Sequence, residues 1–420
     1  MKLIYSFSGK EKELLRKYRD KYDSIMIPAN IGIHFRVPTS ELISKSGKPF
    51  FVDPMTDRLV IPLSAISKKD SKSKEERLKL SFQKLIKEYG CTKILEENKP
   101  LDIKDFSDDN FKRRFLRRII RFQANLGNDI SASQISLREY DTILGRKSQH
   151  SYGREPFWYI PPYFYFESLT DPWYQLTVEF AKLAKRIYPS LRLCPILSMS
   201  KDALDRKIAI GILEDLREFD TYIIFVNDFD ERKESLSTIK SLAYFIKLLT
   251  EGGKQVYLKH SGGFFALLLY YFGLEGIIIG VDVGEHKNIF TPTTGGGGGS
   301  LYIPKLHIRI SRAEAKLLYQ DNPELRCKCN VCNEKWKDAN GDPLKFVDSF
   351  DDFSVKAHFV EIRTKEKELI ENGDINSTLM MLKNEKEIAE FRNIALYSKR
   401  LRSLDYFDKW IKLLEDLISL

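Results

Sequence analysis

Short apolar runs bounded by turn residues recur along the chain: SIMIPA at 24–29, PFFVD at 49–53, FWYIPPYFYF at 157–166, RLCPILSM at 192–199, TYIIFVN at 221–227, QVYLKH at 255–260 and GIIIGVD at 276–282. Their length and their β-branched and aromatic content predict seven strands, with YIPKLHIRI at 302–310 as an eighth. Between several of them lie stretches with helical spacing of apolar residues, clearest in DPWYQLTVEFAKLAKRIY, ESLSTIKSLAYFIKLLT and GGFFALLLYYFG, each closed by a Gly or Pro. Strand, helix and strand repeat at about 30-residue intervals over 157–290, so the chain reads as α/β with a parallel sheet, either a (β/α) barrel or a doubly wound sheet. Spacing does not separate the two.

Three stretches break the rhythm. Positions 65 to 150 carry SKKDSKSKEERLK and a charged, mostly helical segment, an expected insertion. The GGGGGS run at 295–300 is expected to be a mobile loop near the ligand face. Beyond Asn322 the chain turns polar and cysteine-bearing, and from about Ser377 it becomes amphipathic helix rich in Leu, Lys and Glu. The expected division is therefore 1–320 with an insertion at 65–150, a metal-binding module at 321–376 and C-terminal helices at 377–420.

Composition narrows the function classes. With 43% hydrophobic and 30% charged residues in 420, the chain can bury a sizeable core, which excludes a disordered or fibrous protein. Lys and Arg number 68 against 59 Asp and Glu, a net charge of +9 that suits a phosphate-bearing partner. The start, MKLIYSFSGKEK, does not read as a leader, and the longest apolar stretch, GGFFALLLYYFGLEGIIIG, is broken at Gly273 to Gly276, so no membrane partner is expected. Five cysteines, three of them crowded between 327 and 332, make no disulfide framework and point to a reducing compartment, the cytoplasm. A homodimer or partner proteins are compatible with all of this.

The sharpest chemical signal is Cys327-Lys328-Cys329-Asn330-Val331-Cys332, followed by His358 in KAHFVEIRTKEKELIE. Three thiolates and one imidazole have the count and softness of a closed tetrahedral Zn2+ site, and a closed site makes the metal structural. CxCxxC with a later His opening a helix, set just after a run of βα units, resembles the tRNA-guanine transglycosylase superfamily. The segment AHFVEIRTKEKELI is similar to the archaeal members around the ligand histidine, and the resemblance runs from about Leu193 to Ile370. It implies a zinc-containing TIM (β/α)8 barrel with an inserted helical segment and a C-terminal zinc-binding module. The implied activity is that of a pentosyltransferase exchanging a guanine base in DNA or tRNA for a 7-deazaguanine, with DNA favoured because the DNA-modifying branch has this size and zinc pattern. The family uses two aspartates, one as the nucleophile that forms a covalent nucleoside intermediate and one handling protons and the base. An oxocarbenium-like centre is stabilised by a carboxylate, and the base leaves more readily once its charge is neutralised.

Catalytic groups of a barrel sit where strands end at its C-terminal face. Three aspartates fit: Asp53 closing PFFVD, Asp228 after IIFVN and Asp282 in IIIGVDVGE. By chain position the resemblance makes Asp53 the acid/base residue and Asp282 the nucleophile, with Asp228 as competitor; an Asp at a strand end also serves as a helix N-cap. The family's DSGGF signature is absent near Asp53. Its look-alike is His260-Ser261-Gly262-Gly263-Phe264, where His260, Gly262 and Gly263, with Lys259 beside them, become candidates for ligand binding. A plain strand-to-helix turn is the other reading.

For the polymer, Arg114, Arg117, Arg118 and Arg121 share one face of a helix while Phe115, Leu116, Ile119 and Phe122 turn inward, a face able to neutralise several phosphates. A solvated face paired with Asp108 and Asp109 is the competing reading. The aromatic block at 157–166 reads as core, and a base inside a duplex would have to be extruded to reach any pocket. A zinc-containing barrel that binds nucleic acid but has lost the acids' chemistry is the alternative class.

Overall fold

The computed structural model describes residues 1–69, 76–127, 143–145, 154–281, 285–292, 300–397 and 404–419. Eight strands form one curled sheet: β1 (Lys2–Ser6), β2 (Ser24–Pro28), β3 (Phe50–Asp53), and then, after a small antiparallel pair β4 (Ser67–Lys69) and β5 (Glu76–Leu78), β6 (Tyr165–Phe166), β7 (Ile196–Met199), β8 (Thr221–Val226), β9 (Gln255–Lys259) and β10 (Gly276–Gly280). Their order is β3-β2-β1-β10-β9-β8-β7-β6, and every neighbour is parallel. Nearly every strand residue is buried, as expected when both faces of a parallel sheet are covered.

The two faces separate by the two-residue period of a strand. Tyr5, Ile25, Val52, Leu197, Ile224, Leu258 and Ile277 join the large core under the helices. Their neighbours Ile4, Met26, Phe51, Ile196, Ile223, Tyr257 and Ile278 meet on the opposite side, in a second cluster that also takes in Trp158, Ile160, Tyr163 and Cys194. Gly276 has to be glycine: a Cβ there would meet the Lys2 carbonyl and the Tyr257 ring, each at 2.8 Å.

Seven expected strands are present in whole or part, but the eighth is another. Lys2–Ser6, which the expectation passed over, pairs β10 on one side and β2 on the other. YIPKLHIRI instead folds back on itself as the antiparallel hairpin β11 (Ser300–Ile303) and β12 (Ile308–Ser311). His307 turns that hairpin in the left-handed conformation at φ 50°. A five-residue strand with Lys at one end and Ser at the other shows little periodicity; its burial comes from its two neighbours.

Helices Pro172–Ile187, Arg206–Asp215 and Leu236–Glu251 connect successive strands on the outer side. The stretch between β3 and β6 holds the Leu80–Tyr89, Lys93–Glu97 and Asp109–Leu126 helices. The aromatic block is core as read: Ile160, Phe164 and Phe166 are fully buried, and only Phe157 is exposed. Of the C-terminal helices, Asp352–Asn372 docks onto the start of the chain through Lys356 to Glu11 at 3.4 Å and Thr364 to the Lys21 carbonyl at 2.9 Å. Asp405–Ile418 buries Trp410 against Phe264 and His307. Among the described residues no helix is long and apolar enough to cross a membrane. The GGGGG run and Asp282 lie outside the described residues.

Candidate metal centre and pocket

The Cys327–Cys332 loop and the Asp352–Asn372 helix bring Cys327, Cys329, Cys332 and His358 together, all four buried, with their ligand atoms within 4.8 Å of one another. A tetrahedral ion with bonds of about 2.3 Å holds its sulfurs roughly 3.7 Å apart, so the cluster has the dimensions of a metal site. His358 Nδ1 lies 3.4 Å from Cys329 Sγ and 3.2 Å from Cys332 Sγ, while Nε2 lies 2.8 Å from the Tyr302 carbonyl in β11. Donating Nε2–H to that carbonyl leaves the Nδ1 lone pair aimed at the sulfurs, which is how a ligand imidazole is oriented. Backbone N–H groups of Cys329 and Cys332 donate to the sulfurs of Cys327 and Cys329. Cys329 also caps the Asn330–Asp338 helix. The local spacing folds as a loop running into a helix, and the fourth ligand arrives from a distant helix.

A pocket opens where the sheet's strands end. It is lined by Pro28 of β2, Asp53 of β3, Phe225 of β8 and Lys259 of β9, with Asp57, Arg58, Tyr163, His260 and Lys287 around them. Its volume is about 30 Å³, room for a water rather than a base. Asp53 Oδ1 accepts from the Tyr163 hydroxyl at 2.6 Å and from Met55 N–H at 3.0 Å, and Oδ2 accepts from Lys259 Nζ at 2.6 Å. Lys259 also reaches the Tyr163 oxygen at 3.2 Å. Burial works against the carboxylate, but the Lys259 charge and these hydrogen bonds outweigh it and hold Asp53 below the usual carboxylate range. Asp57, four residues on, is pushed up by burial with Arg58 only partly countering it. The Lys287 amine, 3.0 Å from His260 Nε2, is lowered to about 7 by burial and by the Lys259 and Arg58 cations. One buried carboxylate is thus kept charged while a neighbouring carboxyl and amine are driven toward neutrality, an arrangement suited to moving protons and stabilising positive charge.

Of the residues expected at a site, Asp53, Lys259 and His260 meet in this pocket, His260 held in the left-handed conformation at φ 48°. Asp228 does not line it: its side chain is exposed, its backbone N–H donates to the Lys287 carbonyl at 2.9 Å, and φ is 57°. Gly262 and Gly263 lie just past the pocket residue His260, and they serve a different cluster. Gly262 N–H donates to the Glu285 carbonyl at 3.0 Å, and a Cβ on Gly263 would meet Glu231 Oε1 at 2.8 Å and the Glu285 carboxyl at 3.2 Å. Glu231 is buried and pushed up to about 7, chiefly by desolvation and further by Glu285. Arg363 at 2.6 Å holds Glu285. Tyr163, Asp57, Lys287, Glu231 and Glu285 were missed in the sequence; Tyr163 was hidden in an aromatic run, and no local spacing marks the rest.

The basic helix forms as expected over Asp109–Leu126, with Arg114, Arg117, Arg118 and Arg121 exposed and Phe115, Leu116, Ile119 and Phe122 buried. Arg114 approaches Asp108 only at 3.9 Å, and among the described residues no ion pair engages Arg117, Arg118 or Arg121. Compared with known proteins, the chain matches no family model and no curated protein.

Proposed function

We propose that this chain exchanges a guanine base in nucleic acid, DNA before tRNA, for a 7-deazaguanine, working in the pocket around Asp53. The observation that carries the reading is Asp53 itself, a carboxylate at a strand's C-terminal end, kept ionised in a buried pocket by Lys259 and Tyr163. A fixed anion there would stabilise the positive charge that develops on a pentose as its base leaves, and Asp57 or Lys287 could pass a proton to the departing base. Asp282, two residues past the end of β10 in the chain, is the proposed nucleophile, with Asp228 as its competitor.

The scaffold proposed for this chemistry is a closed (β/α)8 barrel. Parallel bridges join Phe51 to Trp158 and Tyr159 to Leu193, and Phe157 N–H donates to the Phe50 carbonyl at 2.7 Å, contacts that support closure through the 157–166 segment. The inner cluster that gathers Ile4, Met26, Phe51, Trp158, Ile196, Ile223, Tyr257 and Ile278 supports the same reading. For the metal we propose a structural Zn2+, since three sulfurs and one imidazole suit it better than harder cations. The four helical arginines are the proposed phosphate contacts, and the cytoplasm is the proposed compartment, with no disulfide among the five cysteines.

A water-sized cavity favours one rival reading, a barrel that binds nucleic acid without chemistry. Nucleic acid carrying labelled guanine, incubated with the protein and candidate 7-deazaguanines, separates the two. Release of label is expected; binding with no release from DNA or tRNA leaves the rival.

A further inference from the structure

The pocket holds two lysines in opposite circumstances. Lys259 is an ammonium engaged by Asp53 and Tyr163, while the nearest polar partner of Lys287 Nζ is an imidazole nitrogen at 3.0 Å. The segment that carries Lys287 is pinned from several directions. The Lys287 carbonyl accepts from Asp228 N–H at 2.9 Å, Ile289 N–H donates to Asn227 Oδ1 at 2.7 Å, the Ile289 carbonyl accepts from Arg58, and His286 bridges to Ser261. Its amine is therefore presented to the pocket by a fixed backbone, and the Asp57 carboxyl lines the same pocket.

From this placement we infer that Lys287 is a nucleophilic amine that condenses with the aldehyde of a ring-opened pentose. The inference rests on reading the pocket as a nucleoside site. The Nζ lone pair bonds to the C1′ carbonyl carbon, the C=O π pair moves to oxygen, and a proton passes from nitrogen to that oxygen to give a carbinolamine. Asp57 protonates the hydroxyl, which leaves as water while nitrogen forms the double bond to C1′, and the resulting iminium returns its N–H proton to the Asp57 carboxylate to give the imine. The balance is amine plus aldehyde giving imine plus water, with no oxidant or reductant. A lowered amine pKa, to about 7, keeps a useful fraction of the lone pair free near neutrality.

An oligonucleotide with one abasic site, incubated with the full chain and sodium cyanoborohydride, tests this, because hydride reduces an imine to a permanent secondary amine. The expected result is a protein–DNA cross-link that peptide mass mapping places on Lys287 and that falls to background in both Lys287→Arg and Lys287→Ala. Folding of both variants is followed by circular dichroism, and mapping on the unaltered chain decides even if one fails to fold. A wild-type protein that forms no adduct, or whose adduct maps to Lys259 or elsewhere, overturns the inference. The base-release assay is read separately: release without an adduct sinks the imine alone, and an adduct without release sinks the exchange reading alone.

Discussion

At the scale of single residues, the polar interior is organised around groups whose charge is set by neighbours. His307 is the clearest: Nδ1 lies 3.1 Å from Glu366 and Nε2 2.9 Å from Glu385, with the ring stacked on Phe264 at 3.5 Å. Burial alone would lower its pKa, yet the two carboxylates raise it from 6.5 to about 9. A pKa raised in the folded state stabilises fully below the unfolded value and is lost as pH rises through the folded value. The stability of the wild type against thermal unfolding should therefore fall between about pH 6.5 and 9 by an amount on the order of 3 kcal/mol, and His307→Gln should flatten that slope. An unchanged slope in the variant would assign the pH dependence elsewhere. Asp53 is the counterpart at the pocket. Asp53→Asn keeps the shape but removes the charge that faces Lys259, so base release should fall by at least about a hundredfold while nucleic-acid binding persists. Kinetics alongside a binding isotherm check both halves.

At the scale of elements, two helices carry the argument. The Asp352–Asn372 helix supplies His358 to the Cys3His cluster, and the helix capped by Cys329 begins inside the cysteine loop, so the proposed metal would bind and dock these helices in one event. Cys329→Ser should lower bound zinc, measured by elemental analysis, and expose the C-terminal helices to proteolysis; full zinc retention would contradict the ligand assignment. The Asp109–Leu126 helix separates its roles by face. Replacing Arg117, Arg118 and Arg121 together by Ala leaves the buried face untouched, so unfolding should hardly change. The slope of log affinity against log salt should shrink by about 2.7 if all three meet phosphates of a duplex. No change in slope would return that face to ordinary solvated surface.

At the scale of the molecule, the 157–166 segment bridges to Phe51 of β3 and to Leu193 just before β7, and Trp158 stands at this junction, 4.7 Å from the Tyr257 ring and 5.3 Å from the Phe51 ring. Trp158→Ala should cost about 3–5 kcal/mol in denaturant unfolding, the range for deleting a large buried ring. A loss under about 1 kcal/mol would mean that the junction bears little of the core. The same segment carries Tyr163, so the junction and the pocket are built from one stretch of chain.

The sequence by itself determined what is local: seven of the strands, the connecting helices, the two faces of the basic helix, and a Cys3His quartet whose three sulfurs sit within six residues. Periodicity encodes whether a residue is buried, and close spacing of soft donors encodes a loop. Neither encodes which distant segment will arrive as neighbour. Tertiary structure alone decided that Lys2–Ser6 lies between β10 and β2, that the 302–310 run becomes a hairpin, and that residues 53, 163, 259 and 287 share one pocket. The physical reason is that a parallel sheet pairs strands across long crossovers, and a side chain's charge follows from the groups the crossover sets beside it.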